Sequence, residues 1–91
     1  MKVISIKDNL PILEDHPELI CGDKEIIVKL EACGICGSDI GNIFGKSSKP
    51  TKKIGHEISG IICEVGEKII DLKIGDRITV NHHCSCQKCH L

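Results

Sequence analysis

One aromatic side chain, Phe44, serves the whole 91-residue chain, and isoleucine supplies much of the remaining apolar bulk. A core of branched aliphatics favours strands over helices, because side chains stiff at χ1 pack well on a pleated surface. At this length the chain makes one domain, and burial alone leaves such a domain near marginal stability, so a bound metal would help to hold it. The expected fold class is mainly β with short helical turns.

Local patterning places the elements. Lys2 to Lys7 alternates Val3 and Ser5 with Ile4 and Ile6, as in an edge strand, and Pro11 and Pro17 are expected to break the pattern after it. Ile26, Val28, Leu30 and Ala32 form the apolar side of a clearer strand, entered through a Gly22-Asp23 turn. From Asp39 to Phe44 a short helical turn would gather Ile40, Ile43 and Phe44 on one face, with Gly45 ending it. The polar, basic stretch 46–53 reads as an exposed loop. Ile58 to Val65 and Arg77 to Val80 are further strands, the latter entered through Gly75-Asp76. Short strands separated by glycine turns point to a small, partly closed barrel.

Basic and acidic residues nearly balance, giving a formal charge of -1, and the basic ones are scattered. Nucleic acid is therefore not an expected partner. Nowhere do about 18 apolar residues run together, and the N-terminus has no secretory pattern, so no membrane association is expected and the cytoplasm is the default location.

Seven cysteines are an odd number, and without a secretory signal they point to metal before disulfides. Three groups of residues carry chemistry. The first is Cys33-Gly34-Ile35-Cys36-Gly37-Ser38-Asp39, directly after the strongest strand. Its Cys-x-x-Cys suits a redox pair, two zinc ligands, or one ligand beside a packing thiol; the βαβ alternation that frames a thioredoxin-like pair is not visible. The second is Gly55-His56-Glu57, opening a strand. Together with an upstream cysteine it offers thiolate, imidazole and carboxylate, a set that zinc accepts while keeping one position open.

The third group is the cluster from Cys84 to Leu91, in which Cys86 and Cys89 form a hairpin-type Cys-x-x-Cys suited to a structural zinc. A closed site needs four ligands; Cys84 is poorly spaced from Cys86 for a third, His82, His83 and His90 are candidate substitutes, and otherwise two ligands are missing or lie beyond Leu91. Cys21, Cys33 and Cys63 adjoin strand-like runs and read as buried or idle thiols.

In their order and spacing, GICGSD at 34–39, GHEISG at 55–60, VGE at 65–67, GDRI at 75–78 and CxxC at 86–89 resemble the zinc-dependent medium-chain alcohol and polyol dehydrogenases. The Cys-Gly-Ser-Asp form of the first motif is most similar to the polyol and threonine dehydrogenase branch. The resemblance implies a domain like the GroES co-chaperonin barrel spanning 1–91, truncated within the structural-zinc loop, with the family's Rossmann domain absent. It implies a full-length enzyme that oxidises a small-molecule alcohol or polyol by hydride transfer to NAD or NADP and that forms homo-oligomers.

Carried over by position, Cys36 and His56 would hold a catalytic zinc, with Glu57 a direct ligand or a near neighbour that exchanges with water. Ser38 would accept the substrate proton, and Asp39 would orient the His56 ring or pair with a distant basic group. Cys86 and Cys89 would begin a second, structural zinc site. Gly41 stands where many of these enzymes carry a histidine that passes the proton outward, which leaves the outer relay to water or in doubt. Two other readings compete with this one. A zinc-stabilised structural or assembly module would need no catalysis, and a Cys33/Cys36 redox switch would not retain zinc.

Overall fold

The computed structural model describes residues 1–44, 54–83, 86 and 88. Five strands and one helix follow in the order β1 (Lys2–Lys7), β2 (Leu10–Asp15), β3 (Ile26–Gly34), α1 (Gly37–Phe44), β4 (Glu57–Val65) and β5 (Arg77–Thr79). This is the mainly-β class that the aliphatic composition predicts. The strands fall into two antiparallel sheets, β1-β2 and β3-β4-β5. Among the described residues no strand pairing joins them into a closed barrel.

Strand β2 corrects the expectation that Pro11 interrupts the pattern. The hairpin is closed by Asp8 and Asn9, whose φ values of 52° and 60° are those of a type I′ turn. Pro11 then pairs with Ile6 in a two-stranded sheet, where a strand without one N–H is tolerated because its outer edge has no neighbour. Ser5, buried to 6% exposure, donates its hydroxyl to Glu14 Oε2 at 2.8 Å, and His16 Nε2 lies 3.1 Å from the same oxygen. The charged N-terminus reaches the His16 carbonyl at 2.9 Å and fastens the open end.

In the larger sheet β4 is central. Two bulges interrupt its pairing with β3: Cys63 is extra between Ile62 and Glu64, and Glu31 is extra between Leu30 and Ala32. The second bulge breaks the alternation expected for β3 after Leu30, so Ala32 no longer continues the Val28–Leu30 face; both Leu30 and Ala32 are exposed where the pattern placed them in a core. It also sends Glu31 across the sheet to an ion pair with Arg77 on β5. Gly60 sits where the strands approach most closely; a Cβ there would overlap the Lys29 carbonyl oxygen. Gly66 is likewise pressed against the Gly22 and Asp23 carbonyls, and its N–H donates to the Glu25 carbonyl at 2.8 Å.

Apolar burial is sparse. Among the described residues only Ile43 on α1 and Ile62 on β4 are buried hydrophobics. Of the face expected to gather Ile40, Ile43 and Phe44, only Ile43 is covered. The accessible surface of 7766 Å² exceeds the ~5,200 Å² typical of a compact monomer of this mass. No helix among the described residues is long and apolar enough to cross a membrane. The stretch 45–53, read from sequence as the helix stop and an exposed loop, lies outside the described residues.

Candidate metal centre

Strand β3 ends at Gly34, and α1 begins three residues later, so Cys36 occupies the cap position of the helix. The Asp39 N–H donates to the Cys36 carbonyl at 3.0 Å, while the Cys36 N–H donates to Asp39 Oδ2, also at 3.0 Å. The carboxylate accepting from the cap N–H is the N3 half of a capping box, with aspartate in place of glutamate, while the backbone carbonyl of the cap residue, not its side chain, takes the N3 N–H. A carboxylate in the first turn also suits the positive end of the helix dipole. The same carboxylate is buried, with its side chain 6% exposed, and its other oxygen, Oδ1, lies 3.5 Å from His56 Nδ1. One side chain thus braces two candidate ligand residues that stand twenty positions apart.

His56 arrives from the opposite direction. Gly55 adopts φ 101°, a left-handed conformation that L side chains rarely adopt, and a Cβ there would stand 3.1 Å from Cys33 Sγ. This turn delivers His56 ahead of β4 and Glu57 as its first residue. The ligand atoms of Cys36, His56 and Glu57 lie within 4.8 Å of one another. A tetrahedral zinc, at about 2.3 Å from sulfur and about 2.0 Å from nitrogen or oxygen, sets its donors roughly 3.3–3.6 Å apart. The group therefore needs a contraction of at most about 1 Å to close on one ion, and its thiol, imidazole and carboxylate are donors that zinc takes. Ser38 Oγ is 3.5 Å from His56 Nε2, on the side of the ring away from Asp39.

The structure thus brings together Cys36, Ser38, Asp39, His56 and Glu57 of the residues singled out by sequence. Cys86 is exposed, and Cys84, Cys89 and His90 lie outside the described residues. The metal-type group among the described residues contains none of Cys21, Cys33 and Cys63. Cys33 and Cys63 are exposed rather than buried, because each lies on a sheet edge or bulge with little chain above it. Cys21 is half-buried; desolvation first, and then the Glu64 carboxylate, push its thiol pKa up, which suppresses the reactive thiolate.

Sequence spacing gave no sign that His82 belongs here. Its ring centroid lies 4.5 Å from that of His56 and 3.8 Å from that of His83. Desolvation, followed by repulsion from His83 and His56, lowers the His82 pKa, while Glu57 opposes the shift. A histidine considered for a structural zinc thus flanks the other site, because the segment after β5 runs back past the start of β4.

The family described as the alcohol dehydrogenase GroES-like domain matches residues 22–91. The chain is similar to L-threonine 3-dehydrogenase of Caldanaerobacter subterraneus, at 38% identity over 73 residues, covering 75% of this chain and 21% of that protein. In structure it is similar to galactitol-1-phosphate dehydrogenase from Escherichia coli, with TM-score 0.84 and 30% identity over 99% of this chain and 27% of that one. It is also similar to CAD from Helicobacter pylori, solved in complex with NADP(H), with TM-score 0.79 and 32% identity over 98% of this chain and 27% of that one. The chain spans only about a fifth to a quarter of the length of these relatives.

Proposed function

Since the chain belongs to the alcohol dehydrogenase GroES-like domain family, we propose that it is the zinc-holding, substrate-side part of an oxidoreductase. In this reading the complete enzyme oxidises a primary or secondary alcohol or polyol by hydride transfer to NAD or NADP. The reading is carried by the convergence of Cys36, His56 and Glu57 within 4.8 Å. Relatives named for threonine and galactitol-1-phosphate dehydrogenation support the substrate class, and a relative complexed with NADP(H) supports the nicotinamide partner.

Zinc bound by these three residues would supply Lewis acidity that lowers the pKa of a substrate hydroxyl. The chain's own residues do the rest. Asp39, whose Oδ1 lies 3.5 Å from His56 Nδ1, would orient the ring by accepting from Nδ1–H and so leave the Nε2 lone pair for the metal. Its bond from the Cys36 N–H holds that residue at the helix cap, beside His56 and Glu57. Ser38 stands beside Nε2 with a hydroxyl placed to take the substrate proton. Gly41 offers no group to carry that proton outward, so water does. Cys86 and Cys89 are proposed as two ligands of a second zinc. We place the enzyme in the cytoplasm as a homo-oligomer.

Nicotinamide binding is assigned to a Rossmann domain outside these 91 residues, so the isolated chain is expected to show no alcohol-dependent reduction of NAD or NADP. The reading is tested by zinc per chain on the purified protein beside Cys36→Ala and His56→Ala. Loss of bound zinc in both variants is expected. Full zinc retention in both would overturn the site assignment.

A further inference from the structure

We infer that Gly34 is a positioning residue for the metal centre: its missing side chain leaves the space through which the Glu57 carboxylate reaches Cys36 and His56. This rests on the metal-site reading above and adds a residue to it.

Gly34 and Glu57 are direct cross-strand partners, at the end of β3 and the start of β4. A Cβ on Gly34 would stand 2.7 Å from Glu57 Oε2 and 3.3 Å from Glu57 Cβ, while the nearest backbone atom, the Glu57 carbonyl oxygen, is at an ordinary 3.7 Å. Gly34 does not have the positive φ that requires glycine at Gly55 and Gly75. Neither backbone conformation nor a backbone approach therefore calls for glycine at this position. The atom a methyl group would displace is the tip of a flexible side chain, which rotates away at little cost.

Of the other glycines, Gly60 and Gly66 are pressed against backbone carbonyls, and Gly37 and Gly41 on α1 face open space; Gly22 also meets a glutamate tip, 2.8 Å from Glu25 Oε2, but Glu25 is not in the metal-type group. A methyl group at Gly34 is thus expected to spare the sheet and to move a candidate ligand.

The test uses cobalt(II) as the probe, since its visible spectrum reports donor number and type while circular dichroism follows the fold. Gly34→Ala and Glu57→Gln are each expected to weaken cobalt binding about 10- to 100-fold, the range found when groups supporting a ligand are lost, and to change the spectrum in the same way. Gly34→Ala in the Glu57→Gln background should cost nothing further, because the methyl group acts only through the carboxylate. A wild-type spectrum and affinity in Gly34→Ala, or losses that simply add in the double variant, would overturn the inference.

If Gly34→Ala does not fold, Gly34→Ala/Glu57→Ala decides the matter. Recovery of the fold supports a clash confined to the side chain, and failure refutes it. Cobalt binding unaffected by Cys36→Ala would instead remove the metal site itself, a result distinct from failure of Gly34 alone.

Discussion

Replacing Asp39 with asparagine keeps the shape of the side chain and removes its charge, which separates its two duties. The asparagine carbonyl can still accept from the Cys36 N–H, now 3.0 Å from Oδ2. The amide nitrogen then takes the place of Oδ1, 3.5 Å from His56 Nδ1. Two donors cannot face each other, so the imidazole is driven to the tautomer with its proton on Nε2, the nitrogen needed for metal. Loss of such an orienting partner typically lowers metal affinity about 10- to 100-fold, equivalent to roughly 1.4–2.7 kcal/mol.

Without metal, exchanging a charged acceptor for a neutral one costs about 1 kcal/mol. That corresponds to a fall in Tm of about 4–8 °C for a domain of this size. Asp39→Ala, by contrast, leaves the Cys36 N–H without an acceptor and costs about 1–3 kcal/mol even in chelator. Zinc affinity is read by competition with a chromogenic chelator, and stability by thermal melting in excess EDTA. Zinc binding in Asp39→Asn within twofold of wild type would refute the reasoning, as would equal melting of the two variants in EDTA.

Hydrogen bonds from His16 and then Ser5 hold the Glu14 carboxyl below its ordinary value of 4.5. A depressed folded-state pKa stabilises above the unfolded value and loses that contribution as pH falls through the folded one. The hairpin is therefore expected to weaken below pH 4.5, and Ser5→Ala should raise the Glu14 midpoint seen by carboxyl NMR titration; an unmoved midpoint removes the Ser5 contribution. Two glycine substitutions should differ in sign. Gly60→Ala meets the Lys29 backbone and is expected to cost about 3 kcal/mol, whereas Gly41→Ala, in open space on α1, should stabilise by about 0.5–1 kcal/mol. Denaturant titration distinguishes them, and equal effects would contradict the packing described.

Much of the fold could be read from period and punctuation. The two long strands and the helix lie where branched residues, glycine turns and helical spacing put them, with ends displaced by one or two residues. Strand β2 is obscured in the sequence by Pro11, although the Asp8-Asn9 pair, with its tolerance of positive φ, is the stronger local signal for a hairpin. The apolar alternation of β3 fails past Leu30 because a bulge is one added residue with no composition of its own. At the site, cysteine, histidine and glutamate were visible by chemical type and order. Gly34 and His82 were not, since one acts through an absent side chain and the other through a return of the chain that spacing does not encode.

Because the Asp39 carboxylate both caps α1 and lies beside His56, metal binding at the proposed site would be thermodynamically linked to helix order. An ion that binds only the ordered arrangement stabilises it by RT ln(1 + [L]/Kd), and the hydrogen bond from the Cys36 amide lies directly in that linkage. The exchange rate of this single amide proton with solvent is therefore a gauge of the site from within the backbone. Protection there should rise with zinc concentration in step with binding, and amides of the β1-β2 hairpin, on a separate sheet, supply the internal baseline.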